Sequence, residues 1–214
     1  MTNTNNGGGN MKACVNSVTL FGPAEDIDKL KQSVSKDGEV ISFEAFYPTP
    51  EELIELTKND VISPKVVEKF GAINVNAWRL KNWGCLKDAH SSRIEDESEF
   101  DAGEVGAQLK NADVHPVIKE WVGSISKALS IVFTTEESPN NAIGQLSKNY
   151  PSILIHFGYD SESEGVCGWA ALKGGEVITH RQYDDCLKEI SVHVRPPMET
   201  LKVKLFDSIK DDSN

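Results

Sequence analysis

The chain reads as an α+β protein, on three observations. Period-two apolar alternation marks strands near its start and again in its second half. Apolar positions at i, i+3 and i+7 mark helices directly after Gly22-Pro23 and Ser138-Pro139. A proline-, acid- and tryptophan-rich block separates the two strand-helix runs. The resulting order is strand, helix, strand, helical insertion, strand, helix, strand. This is the split βαβ or ferredoxin-like arrangement: an antiparallel sheet with helices on one face, further strands on its edge and a C-terminal extension.

Each element has a local reason. Residues 14–21 (Cys-Val-Asn-Ser-Val-Thr-Leu-Phe) are β-rich and end at Gly22-Pro23, with Pro23 placed where a helix can begin. Ile27, Leu30 and Val34 form the stripe of a helix running to about Ser35, and Lys36-Asp37-Gly38 is a turn. Residues 40–47 alternate Ile41, Phe43 and Ala45 against Ser42 and Glu44, so they are predicted as the second strand, ended by Pro48-Thr49-Pro50. The insertion, about 50–84, begins with a short acidic helix over 50–57. Ser63-Pro64 opens another helix, by serine cap and first-position proline, and Gly71 closes it.

The stretch from Trp78 to Ala89 holds two of the four tryptophans. Asn74 or Asn76 can cap a helix there, and Gly84 suits the left-handed residue that ends one. Trp83 would then fold back over the last turn. Two readings stand: a pair of structural tryptophans, or a surface recognition corner on a rigid turn.

Residues 89–97 are predicted as an edge strand. Six acids and no base lie between Glu95 and Glu104 (Glu95, Asp96, Glu97, Glu99, Asp101 and Glu104), either as a solvated loop or as an electrostatic docking tongue. Residues 114–122 are ambiguous, and 128–134 form a strand. Ile143, Leu146 and Tyr150 mark the buried stripe of the helix opened by Ser138-Pro139. In the strand over 152–159, Leu154, His156 and Gly158 lie opposite Ile153, Ile155 and Phe157. An acidic turn over 160–165 leads to strands over 166–172 and 176–180. The domain is thus placed at 11–183. Residues 1–10 are an Asn/Gly-rich leader expected to be disordered. Residues 184–214 are an extension whose apolar positions fit both strand and helix, with helix preferred.

Composition bounds the function. The 214 residues are 39% hydrophobic and 26% charged, and no apolar run reaches the ~18–20 residues that span a bilayer. The N-terminus lacks the basic and apolar regions of a signal peptide. Cys14, Cys85, Cys167 and Cys186 form no CxxC pair, so reduced thiols in a cytoplasmic protein are expected, and a zinc site is disfavoured. Acids outnumber bases 33 to 22, for a net charge of -11. Direct binding of nucleic acid or of an anionic membrane surface is therefore disfavoured. The balance suits a partner with a basic face, or simply a soluble protein.

At this point the chain resembles the YubB-like ferredoxin-fold family of phage and plasmid accessory proteins, over about residues 13–178. The likeness rests on Cys14-x-Asn16, Gly22-Pro23, Phe43, Pro48-x-Pro50-Glu51-Glu52-Leu53, Trp78-Arg79-x-x-Asn82-Trp83-Gly84 with Asp88-Ala89, Phe133-x-Thr135-x-x-Ser138-Pro139, and a hairpin from Tyr159 to Gly168. Such proteins commonly carry two further tryptophans, where this chain has Lys87 and Glu137. If those positions meet, an aromatic contact has been exchanged for an ion pair. The family has no established common activity.

The resemblance and the charge together imply a non-catalytic binding protein of a phage or other mobile element, acting on a host protein of defence or nucleic-acid processing. The candidate binding residues are Glu95, Asp96, Glu97, Glu99, Asp101, Trp83, Lys87 and Glu137. One alternative is a ferredoxin-like module binding RNA or DNA through sheet aromatics, but Phe21, Phe43, Phe133 and Phe157 are better explained as core. Another is an enzyme built on Cys85 and His90, with Asp88 as orienting acid. No P-loop, dinucleotide fingerprint, GxSxG, HExxH or EF-hand spacing occurs, and no cofactor is expected. His156, in an apolar strand, reads as a structural histidine.

Overall fold

Six antiparallel strands form one sheet in the computed structural model, which describes residues 13–59, 63–99, 101, 122–161 and 165–184. The strands are β1 (Cys14–Gly22), β2 (His90–Glu99), β3 (Lys127–Thr135), β4 (Leu154–Ser161), β5 (Val166–Lys173) and β6 (Glu176–Asp184). Their order across the sheet is β2-β3-β1-β4-β5-β6. The helices are α1 (Ala24–Val34), α2 (Phe43–Phe46), α3 (Glu51–Lys58), α4 (Pro64–Phe70), α5 (Val75–Trp83) and α6 (Asn140–Asn149).

Two connections are interleaved. The path from β1 to β2 steps over β3, and the path from β3 through α6 to β4 steps over β1. Every neighbouring pair is antiparallel. The apolar stripes of the two crossover helices meet one sheet face. Ile27, Leu30 and Val34 of α1, with Ala142, Ile143 and Leu146 of α6, join Val18, Leu20, Ile131, Phe133, Ile155 and Phe157 in one core. Phe21, Ala128, Val132, Leu154 and Ala171, one position out of phase with that core, are buried as well.

The expected second strand over 40–47 is not a strand. Residues 43–46 form α2, one turn long, and Phe43 is fully buried in the core. The physical reason lies far along the chain. The Asp88 carboxylate accepts hydrogen bonds from Ser42 Oγ (2.6 Å), Phe43 N (2.5 Å) and Glu44 N (3.4 Å), and so caps the start of a helix. The insertion therefore follows α1 and α2 and precedes the second strand. Residues 90–99, the expected edge strand, fill that role as β2. The acidic run over 95–99 lies in this strand and not in a loop.

The insertion itself follows its local signals. Ser63 Oγ accepts from Val66 N, Pro64 opens α4, and Gly71 closes it at φ 65°. Leu53, Val66, Ala72, Trp78 and Trp83 carry the insertion into the main core. In the second half, β3, α6, β4 and β5 fall within one or two residues of expectation. Ile143 and Leu146 are buried, and Tyr150, the residue that ends α6, is half-buried against the same core. Within 114–122 only Val122 is described, in a short 3-10 turn. The leader over 1–10 and the extension beyond 184 lie outside the described residues. The expectation of four reduced cysteines fails at Cys167, which is disulfide-bonded, while Cys14 and Cys85 are free and buried.

Candidate functional site

The tryptophan stretch is a corner whose every marked residue has a structural task. Asn74 caps α5 by accepting from Ala77 N at 2.9 Å. Gly84 ends the helix at φ 90°, its N–H shared between the carbonyls of Arg79 and Leu80. Trp83 is fully buried, edge-on to Phe43 at 5.6 Å and to Trp78 at 6.1 Å, and its Nε1 donates to the Tyr47 carbonyl at 2.9 Å. Arg79 lies 4.8 Å above the Trp83 ring and donates to Glu44 (2.7 Å) and to Thr49 Oγ1 (3.1 Å). Asn82 accepts from the Tyr47 hydroxyl at 2.7 Å and donates to the Trp78 carbonyl at 2.8 Å.

This corner fastens α5 to α2 and the Pro48-Thr49-Pro50 turn. The structural reading of the two tryptophans is the one the geometry supports, because neither ring is presented to solvent.

An open cleft of about 320 Å³ borders the corner, lined by Leu80, Gly84, Glu137, Ser138, Asn140 and Asn141. It lies where the end of α5 meets the start of α6. Gly84 approaches so closely there that a Cβ would stand 2.9 Å from the Ser138 carbonyl oxygen. The expected pairing of Lys87 with Glu137 is displaced by one residue. The Lys87 ammonium pairs with the Glu136 carboxylate instead, and the Glu137 carbonyl accepts from Thr135 Oγ1 at 2.6 Å. Both residues lie in the bend that follows β3, and it is the Glu136 carboxylate that meets Lys87.

The catalytic candidates are poorly arranged for chemistry. The Cys85 thiol is fully buried and donates to the Lys87 carbonyl at 3.2 Å. Burial foremost, then the charges of Asp88, Glu137 and Glu136, pushes it up to about 12, so it stays a thiol at neutral pH. Asp88 is committed to capping α2 and to its own chain at Ala89 N (2.8 Å). Among the described residues no group of three or more His, Cys, Asp or Glu is placed to hold a metal. His156 is half-buried and stacks on Trp169 at 5.6 Å, and the loss of solvent around it pushes its pKa down to about 4, so it is neutral at pH 7. Of the four phenylalanines weighed as stacking platforms, Phe43, Phe133 and Phe157 are core, and Phe21 on the opposite face is 4% exposed.

The acidic residues gather on the sheet edge. Glu95 and Glu99 of β2 are exposed, as is Asp101 just beyond it, while Asp96 is half-buried opposite Ser130. Glu95 pairs with Arg93 at 3.5 Å. Glu97 is exposed as well but differs in its partners, standing 2.7 Å from Lys31 of α1 and 2.7 Å from Lys127 of β3. Lys127, only 8% exposed at its side chain, also holds Asp28 at 2.7 Å. The two carboxylates raise the pKa of Lys127, and the two lysines lower that of Glu97. Composition could not separate Glu97 from its neighbours, because its lysines lie 66 and 30 residues away in the chain.

No family model matches the chain. No curated protein matches it either. Among solved structures it is similar to the protein api92 from Yersinia pseudotuberculosis, of the family DUF1281, at 10% identity and a TM-score of 0.36. The likeness covers 80% of this chain and 98% of that one. It is too distant to carry a functional argument.

Proposed function

We propose that this chain is a non-catalytic acidic binding protein of a phage or other mobile element, which acts in the host cytoplasm on a protein with a basic face and modulates or inhibits it. The observation that carries the reading is the exposed acidic row Glu95, Glu99 and Asp101 along and just beyond an edge strand, on a chain of net charge -11. A basic partner gains both steering and register from such a row. Mobile-element origin and a host defence or nucleic-acid-processing target rest on the resemblance in motifs and on charge. The finer fold reading, a ferredoxin-like core extended by β5 and β6, is supported by the two interleaved crossovers and the order β2-β3-β1-β4.

The test is affinity capture from host lysate at low and moderate salt, followed by association kinetics with the retained protein. Glu95→Gln with Glu99→Gln is expected to slow association and flatten its salt dependence, since the Debye length falls from ~10 Å at 0.1 M to ~3 Å at 1 M. An unchanged on-rate for that variant overturns the reading.

A further inference from the structure

We propose that β2 is a fastened edge strand that can leave the sheet as a unit, released when the carboxylates clamping its two ends are neutralised. This inference goes beyond the binding reading and does not depend on it.

β2 is the one neighbour of β3 on the outer side of the sheet, and none of its ten residues is fully buried. Eight of the nine residues of β3, directly beside it, are buried. Ile94 is half-buried against the core. The ladder between the strands is interrupted twice, between the His90 and Arg93 pairs and between the Ile94 and Asp96 pairs. Little apolar burial therefore retains this strand, and its backbone ladder to β3, though it runs from His90 to Glu99, is irregular at two places. A region with few buried apolar contacts opens at low free energy, independently of the rest of the molecule.

Besides that ladder, the side-chain ties are polar and sit toward the two ends. At the start, the Glu39 carboxylate accepts from Ser91 N (3.2 Å), Ser92 N (2.7 Å) and Ser92 Oγ (2.5 Å). Ser92 Oγ in turn accepts from Val40 N at 2.6 Å, so the strand start is tied to the segment before α2. Ser91 holds φ 55°, a left-handed conformation disfavoured for serine, within this contact. At the far end Glu97 bridges Lys31 and Lys127.

The charged groups around each clamp give the direction. His90 stands beside Glu39, and the hydrogen bonds from Ser92 hold its carboxyl below the ordinary 4.5. Glu97 faces Lys31 from α1 and Lys127 from β3, with Asp28 across Lys127, and the lysine hydrogen bonds lower its pKa likewise. With both folded values depressed, the clamps are at full strength above pH 4.5 and weaken as pH falls through the folded values. Once Glu97 is neutral, the Lys31 and Lys127 ammonium groups repel across it, with Asp28 as the remaining counter-charge. Departure of β2 would bare the outer edge of β3.

Hydrogen exchange of the full chain tests this. In Glu39→Gln/Glu97→Gln at pH 7, amides of residues 90–99 are expected to exchange about tenfold faster or more, the factor for losing one hydrogen bond to a charged group. Amides of β1 and β4 are expected to keep wild-type rates. Wild-type protein taken from pH 7 to below 4, with intrinsic exchange corrected, should lose protection in residues 90–99 by a clearly larger factor than in β1 and β4, which covers the case of a variant that does not fold. Unaltered protection of residues 90–99 in both experiments overturns the proposal. So does loss of protection in β1 and β4 in step with β2.

Discussion

Gly84 meets two demands at one position. Its φ of 90° is open to glycine and unfavourable for a residue with a Cβ, and any Cβ would also press on the Ser138 carbonyl oxygen. That oxygen belongs to backbone and cannot swing aside as a flexible side chain could. Gly84→Ala is expected to destabilise by roughly 1–3 kcal/mol, the range for strained backbone positions, measured by chemical denaturation. Trp83→Ala removes a fully buried indole from among Phe43, Trp78 and Arg79 and is expected to cost about 3–5 kcal/mol. Wild-type stability in Trp83→Ala would return the corner to the recognition reading.

At the scale of elements, α2 is decided by contacts its own residues do not announce. Ile41, Phe43 and Ala45 alternate as a strand would, yet Phe43 and Phe46 equally suit one helical turn. What selects the turn is Asp88, 45 residues beyond Phe43, with Glu44 committed to Arg79 and Thr49. Asp88→Ala is therefore expected to cost roughly 2–3 kcal/mol, as for hydrogen bonds to a charged acceptor, and Asp88→Asn clearly less. Thermal melting of the two variants checks the order, and equal losses would mean that the charge and not the cap matters. The elements that were legible from sequence carry their own punctuation: Gly22-Pro23 before α1, Ser63-Pro64 and Gly71 around α4, Asn74 and Gly84 around α5. The acidic edge was legible as composition. The sorting of Glu97 from Glu95 and Glu99 was not, because Lys31 and Lys127 reach it only once α1 and β3 are in place.

At the scale of the molecule, pH acts on stability in two separate windows. His156 on β4 lies across from Thr19 and Ala171 and stacks on Trp169, in surroundings that disfavour its charged form. With its folded pKa pushed down to about 4 from the usual 6.5, the unfolded chain binds the proton more readily. Stability from this source is complete above pH 6.5 and declines as pH falls toward 4, at no more than about 1.4 kcal/mol per pH unit. Glu39 and Glu97 act only below 4.5. Denaturation at pH 7, 5.5 and 4.5 is expected to show a decline that His156→Gln flattens, and a decline of equal slope in that variant removes the assignment.

The backbone-to-backbone approach of Gly84 and Ser138 also bears on how the chain can be cut. By its place in the sequence the insertion reads as an accessory, removable to leave a smaller working sheet. Instead Leu53, Val66, Trp78 and Trp83 contribute to the same core as α1 and α6, and the end of α5 is seated against the start of α6. A version lacking residues 50–84 would bare Phe43 and Phe133, whose rings lie 6.0 Å apart beneath the corner. Minimisation of this protein therefore has to begin elsewhere, because the tryptophan corner is the lid of the common interior.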